Sequence, residues 1–158
     1  MLSQLERLSF QVDGRYASDA ELQFLVDYVQ SFRLRVETYQ RLRDLELTLV
    51  KETHTKMQAI DPTLFQIGNQ DLVTKWKRDT ISTLRYSAVA VLINDSETLQ
   101  ERFLDWFQTM IRAFGAQRSC DVTYQVMQTV VKQHFSSAQA DLICPILELN
   151  RRSLGMLN

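Results

Sequence analysis

The densest chemistry in this chain of 158 residues lies in Lys75-Trp76-Lys77-Arg78-Asp79. A guanidinium forks onto a carboxylate or propionate, and a carboxylate accepts N–H donors from a protonated ring. Arg78 and Asp79 side by side therefore offer either a ligand grip or a helix-surface ion pair. Trp76, just before them, brings apolar area and no nucleophilic sulfur. Elsewhere the inventory is sparse. His54 and His134 are the only histidines, and Cys120 and Cys144 the only cysteines. No His, Cys or carboxylate pair has metal spacing, no Gly-rich loop could cradle a phosphate, and no Ser-His-Asp or Cys-His signature is present. No motif supports an enzyme. The cysteines lie far apart without a Cys-x-x-Cys, which suits two reduced, buried thiols in a reducing cytoplasm.

The elements that must position these groups read as helices. Four Gly and two Pro are too few for a strand-and-turn fold. The formal net charge of −1 argues against general nucleic-acid binding, which needs a concentrated basic surface. No apolar run approaches the ~20 residues of a membrane span, and the amphipathic start Met1-Leu2-Ser3-Gln4-Leu5-Glu6-Arg7 does not read as a signal peptide. The length suits one domain.

Leu5, Leu8 and Val12 recur at helical spacing, which predicts a first helix over 3–12, broken at Gly14. Ser18-Asp19-Ala20-Glu21 is a capping box opening a helix with Leu22, Leu25, Val26 and Val29 on one stripe. Past residue 35 it continues with Arg33, Arg35, Arg41 and Arg43 among Glu37, Asp44 and Glu46, a mixed-sign pattern expected to face solvent. Asp61-Pro62 breaks the chain, because the proline forces extended geometry on Asp61. Asn69-Gln70-Asp71 is expected to open the next helix, which carries the Trp76–Asp79 segment and runs to Ile93. Ser96 is the expected N-cap of a helix bearing Leu99, Phe103, Trp106, Phe107 and Ile111, with Trp106 expected in the core, and stopping at Gly115. Two further helices cover about 121–134 and 138–154, with Pro145 inside the last.

Three stretches, in register, carry a family resemblance. Gly14-Arg15-Tyr16-Ala17-Ser18-Asp19-Ala20-Glu21-Leu22 is similar to a Gly-Arg-Tyr-Leu-Ser-x-x-Glu-Leu motif. Trp76-Lys77-Arg78-Asp79 resembles a Cys-x-Arg-Asp motif. Leu84-Arg85-Tyr86-Ser87-Ala88 followed by Asn94-Asp95 resembles Leu-Arg-Tyr-Val-Ser/Thr-Tyr-Ala with a later Gly-Asp. Together these resemble the phycobiliprotein subunits, globin-like bilin carriers of cyanobacterial and red-algal antennae.

The resemblance implies an all-α, globin-like fold with an N-terminal two-helix extension. It implies a single domain over 1–158, with 1–17 as the extension and 18–158 as the globin-like core. In the family the cysteine of Cys-x-Arg-Asp forms the thioether to the bilin, the arginine meets a propionate and the aspartate accepts from pyrrole nitrogens. Here Trp76 stands in place of that cysteine. The family's pocket tyrosines, at the positions matching Ser82 or Thr83 and Val89, are absent, so Trp76 is expected to fill part of the vacated space. A second family cysteine would fall near 136–140, where none occurs; Cys144 lies later. A haem is not expected either, since the helix from Trp76 to Ile93 has no histidine.

The implied function is therefore non-catalytic: a pigment-free relative that makes protein contacts in phycobilisome or photosystem assembly, attachment, turnover or regulation, with no cofactor and no metal. The alternative is a carrier that holds a tetrapyrrole non-covalently through Arg78 and Asp79. Family pairing places Leu5, Leu8 and Val12 of the first helix, with Arg85 and Tyr86, at a subunit interface. The family's aspartate partner for that arginine is replaced here by Gln11, with Asp13 two residues off. The expected partner is a second copy, or a phycobiliprotein, linker or photosystem protein, without nucleic acid or membrane insertion. The expected location is the cytoplasm, including the cytoplasmic face of the thylakoid.

Overall fold

The computed structural model describes residues 1–155; the last three residues of the expected core, 156–158, lie outside the described residues. Helix α1 (Leu2–Gln11) precedes α2 (Asp19–Ile60), a single helix of 42 residues and roughly 63 Å at 1.5 Å per residue. The capping box at its start is complete: Ser18 Oγ accepts from the Glu21 amide at 3.4 Å, and Glu21 Oε2 accepts from the Ser18 amide at 2.8 Å. Arg15 forks onto the same Glu21 at 2.6 and 3.0 Å, tying the inter-helix turn to the helix it opens. The second helix of the N-terminal hairpin thus continues unbroken into the body of the fold.

Asp61 ends α2 in extended geometry, and its Oδ1 accepts from the Thr63 amide to start a 3-10 turn, Pro62–Phe65. The chain does not then enter a helix at once, as the Asn69-Gln70-Asp71 signal predicts. Gln70–Asp71 is β2, paired antiparallel with β1 (Gln66–Ile67) across a turn in which Gly68 takes φ +58°. Asp71 still contributes, because its Oδ1 accepts from the Val73 amide at the start of α3 (Val73–Ile93).

Helix α3 ends on Asn94 in the left-handed region at φ +49°, a conformation Asn tolerates better than most side chains. The cap that follows is Asp95, not Ser96: its Oδ1 accepts from the Thr98 amide at 3.1 Å. Helix α4 (Ser96–Leu99) passes through one π-helical turn, Gln100–Leu104, into α5 (Asp105–Ala113). Gly115, at φ +64°, ends this run, and α6 (Gln117–His134) and α7 (Ser137–Gly155) complete the chain.

The core is built where these helices cross. Leu42, Leu49 and Met57 of α2, Val91 of α3, Met127 and Val130 of α6, and Ile143, Leu147 and Leu154 of α7 are essentially inaccessible. Each contributes about 1.5–3 kcal/mol by leaving water. Helices α6 and α7 pack most closely. At Gly155 an added Cβ would sit 2.7 Å from the Asp121 Cα, so the crossing admits only a bare backbone. Asn150, fully buried on α7, donates to Ser87 Oγ on α3 at 2.7 Å.

Two placements differ from the sequence reading. Trp106, expected in the core, is 61% exposed, while Phe103 and Phe107 on either side are buried. Arg35 leaves the mixed-charge face of α2: it is buried, and its Nη1 donates to the Val91 carbonyl of α3 at 2.7 Å. Arg33 and Arg43 remain on the solvent side.

Helix α1 is fastened at one end. Asp95 accepts from the Ser3 amide at 2.8 Å and from Ser3 Oγ at 2.7 Å, and the Met1 ammonium lies 3.4 Å from it. Arg7 pairs with Glu97. The rest of the hairpin presents apolar side chains to solvent, with Phe10 77%, Tyr16 98% and Val29 71% exposed.

Candidate functional site

Helix α3 carries the Trp76–Asp79 segment past the α5–α6 junction. Trp76 turns inward. Its Nε1 donates to Thr123 Oγ1 on α6 at 2.9 Å, and its ring packs on Phe65 (centroids 5.2 Å apart, edge-to-face) and His54 (5.5 Å). The His54 Nε2 has no partner, and burial, aided by Lys77, pushes its pKa down, so the ring sits neutral among its aromatic neighbours.

Pinned against α2 and α6, the indole leaves a cavity of about 640 Å3 beside it, reaching from α3 to α5 and α6. Phe107 and Ile111 of α5, Phe114 just past its end and Tyr124 of α6 line it with Trp76 and Asp79. Trp76 is therefore one wall of the space and not a plug.

The two acid–base residues of the signature separate. Asp79 is on the cavity wall, where its Oδ2 receives Lys75 Nζ at 2.6 Å. The Lys75 ammonium also lies 4.9 Å from the Phe114 ring centroid, a cation–π contact. Arg78 points away: its side chain is 77% exposed, and its Nε is 3.6 Å from Asp79 Oδ1. Helix geometry requires this separation, because consecutive residues are about 100° apart around the axis. Lys75, to which the sequence reading gives no role, is the missed member of the site. The signal was its i,i+4 spacing to Asp79.

The setting of each thiol disfavours the nucleophilic thiolate. Cys120 lines the cavity, but burial, with the nearby Asp79, pushes its pKa up to about 12. Burial raises Cys144 as well. Cys144 is not among the residues lining that cavity. His134 Nε2 lies 3.0 Å from Glu52 Oε2, closing the end of α6 onto α2. Among the described residues no group of three or more His, Cys, Asp or Glu could hold a metal ion.

The residues expected at an interface lie on α1, or at its end, and on α3. Leu5, Leu8 and Val12 are half-buried. Arg85 forks onto Glu46 of α2 at 2.7 and 2.8 Å, so its guanidinium already has an acid within the chain. Tyr86, 48% exposed, stacks on Phe103 at 4.2 Å.

A helical body with an N-terminal hairpin, a cavity beside the Trp76–Asp79 helix and no strand beyond one two-residue hairpin among the described residues defines a globin-like phycobiliprotein fold. Residues 8–154 match the family model described as "Phycobilisome protein", and the chain belongs to that family. It is 25% identical over 135 residues to a phycobiliprotein beta chain of Mastigocladus laminosus, covering 82% of this chain and 80% of that one. It is 28% identical over 136 residues to the allophycocyanin beta chain of Synechocystis sp. (strain PCC 6714), covering 84% and 83%. With the allophycocyanin subunit beta-18 of Aglaothamnion neglectum it shares 21% over 139 residues, covering 85% and 81%.

Proposed function

We propose that this chain is a pigment-free, non-catalytic member of the phycobilisome protein family that works through protein contacts. Assembly, attachment, turnover or regulation of the antenna or a photosystem is the setting its relatives suggest. The observation that carries the reading is the N-terminal hairpin. Val26, Val29 and Phe32 lie three residues apart on one face of α2, and with Leu2, Phe10 and Tyr16 they leave large apolar side chains in water. A patch of that kind marks an interaction surface. Trp76 supports the pigment-free half, since no sulfur stands at that position and both thiols are held protonated.

The partner is a second copy of this chain, or a phycobiliprotein, linker or photosystem protein. No helix of the described residues is long and apolar enough to cross a membrane, which fits attachment at the cytoplasmic face of the thylakoid without insertion.

Two measurements test the reading. Chain produced with bilin synthesis and lyases present should give no zinc-enhanced fluorescent band on a denaturing gel; a band would refute the pigment-free half. Tagged chain recovered from antenna-containing cells should bring down a phycobiliprotein, linker or photosystem protein. Recovery of none, from a chain that is also monomeric in solution, would sink the contact half.

A second reading, a non-covalent tetrapyrrole carrier, draws its support from Asp79 on the wall of an open cavity. Its other half, Arg78, faces solvent. An absorption spectrum of the purified protein separates the two.

A further inference from the structure

The cavity beside α3 has a charge pattern that decides what it accepts. At about 640 Å3 it lies within the roughly 300–1,000 Å3 of small-molecule sites. Its walls are dominated by rings and aliphatic groups: Trp76, Phe107, Ile111 and Phe114.

Three ionised side chains line it among the described residues, and each has its opposite charge in hand. Lys75 Nζ sits 2.6 Å from Asp79 Oδ2, and Arg118 Nη2 sits 2.6 Å from Asp61 Oδ2. The Trp76 N–H is committed to Thr123, whose hydroxyl donates in turn to the Ser119 carbonyl at 2.7 Å. An anionic ligand would have to draw Lys75 off Asp79, leaving that partly buried carboxylate only the looser contact with the exposed Arg78 at 3.6 Å. A cationic ligand would have to displace Lys75 from the same carboxylate. Either exchange gives up the closest charge pair next to apolar walls. A neutral ligand breaks nothing.

We propose that this cavity is a binding site for a neutral, flat, ring-containing small molecule. The site selects against ionised ligands because its own charges are already paired. Aromatic walls favour rings laid against them in offset or edge-on geometry. The proposal does not rest on the contact role of the N-terminal hairpin, so either can fail alone.

Two dyes of one skeleton test it: N-phenyl-1-naphthylamine, which is neutral, and 8-anilinonaphthalene-1-sulfonate, which adds a single negative charge. Fluorescence titration of the full chain should show saturable binding of the neutral dye, one per chain. The sulfonate should bind roughly ten-fold more weakly or worse, the size of one desolvation penalty. Biliverdin, with two propionates, should also bind more weakly than the neutral dye. Ile111→Trp, which fills the cavity, should weaken the neutral dye by about ten-fold. Met110→Trp, at a partly exposed lining position that tolerates bulk, provides the same readout if the first variant does not fold. Phe10→Ser, on the hairpin, should leave binding unchanged.

No saturable binding of the neutral dye would overturn the proposal. So would sulfonate or biliverdin binding as tight as the neutral dye, or binding that responds to Phe10→Ser and not to the cavity variants.

Discussion

Trp76 makes its contribution through two separable contacts, the hydrogen bond to Thr123 and the packing on Phe65 and His54. Trp76→Phe keeps much of the packing and gives up the bond, an expected loss of about 1 kcal/mol. Trp76→Ala gives up both. Because the ring is partly accessible, the expected loss is about 3 kcal/mol, the low end for a large aromatic. Urea midpoints at constant slope measure both. A loss under about 0.5 kcal/mol for the alanine variant is what a surface position would show, and would remove Trp76 from the structural account. At this scale the sequence disclosed the composition of the site and little of its direction. Adjacent Arg78 and Asp79 are legible as a pair. Which one faces the cavity is set by the rotation of α3 against α5 and α6, and no single residue encodes that. The long stem of Lys75 would equally let its ammonium reach solvent. The carboxylate that captures it is one turn along the same helix, but the Phe114 ring comes from a distant part of the fold.

Among the elements, the start of α4 is the most exposed to test. Burial raises the pKa of Asp95, but the Ser3 amide and hydroxyl, the Thr98 amide and the Met1 ammonium outweigh it and hold the carboxyl well below the usual carboxylate range. A depressed folded pKa stabilises the folded state above the unfolded value of about 3.9 and loses that contribution as pH falls through the folded one. The docking of α1 should therefore weaken below about pH 4, read as faster amide exchange in residues 2–11. Asp95→Asn should cost about 1–2 kcal/mol at pH 7 and make α1 exchange less dependent on pH in that range. If wild type and variant respond to acid alike, Asp95 does not fasten α1. Sequence favoured Ser96 as the cap because both residue types cap well. The choice is made by Ser3, more than 90 residues earlier, which recruits the Asp95 carboxylate. Trp106 was misplaced for a different reason. Spacing arguments assume an unbroken 3.6-residue period, and the π turn at Gln100–Leu104 inserts a wider one. The buried positions then run Leu99, Phe103, Phe107 and Ile111, four apart, with Leu104 beside Phe103, and Trp106 falls off that line.

For the whole molecule the family and the helical class were legible, because a capping box, helix breaks and three motifs in register all agreed. Arg35 was not, since nothing in a run of alternating charge marks the one that will meet the Val91 carbonyl across the bundle. The prediction proper to this scale concerns association. Removing residues 1–15 deletes α1 and leaves the capping box of α2 intact. The truncated chain should remain helical by circular dichroism. If the full chain sediments as a dimer at micromolar concentration, the truncated one should sediment as a monomer, and a mixed pair should likewise be lost on co-purification. Association unchanged by the truncation would place the interface elsewhere on the body.

The fastening of α1 also has a consequence for how the protein is made. Ser3 and Asp95 are 92 residues apart in the chain. At about 5–20 residues per second, the ribosome needs roughly 5–20 s to reach Asp95 after α1 has been synthesised. Through that interval α1 is too short to hold its helix unaided. A nascent chain halted before α4 therefore offers its apolar N-terminal side chains to whatever is near, a chaperone or a finished partner, before it has a residue of its own to anchor them.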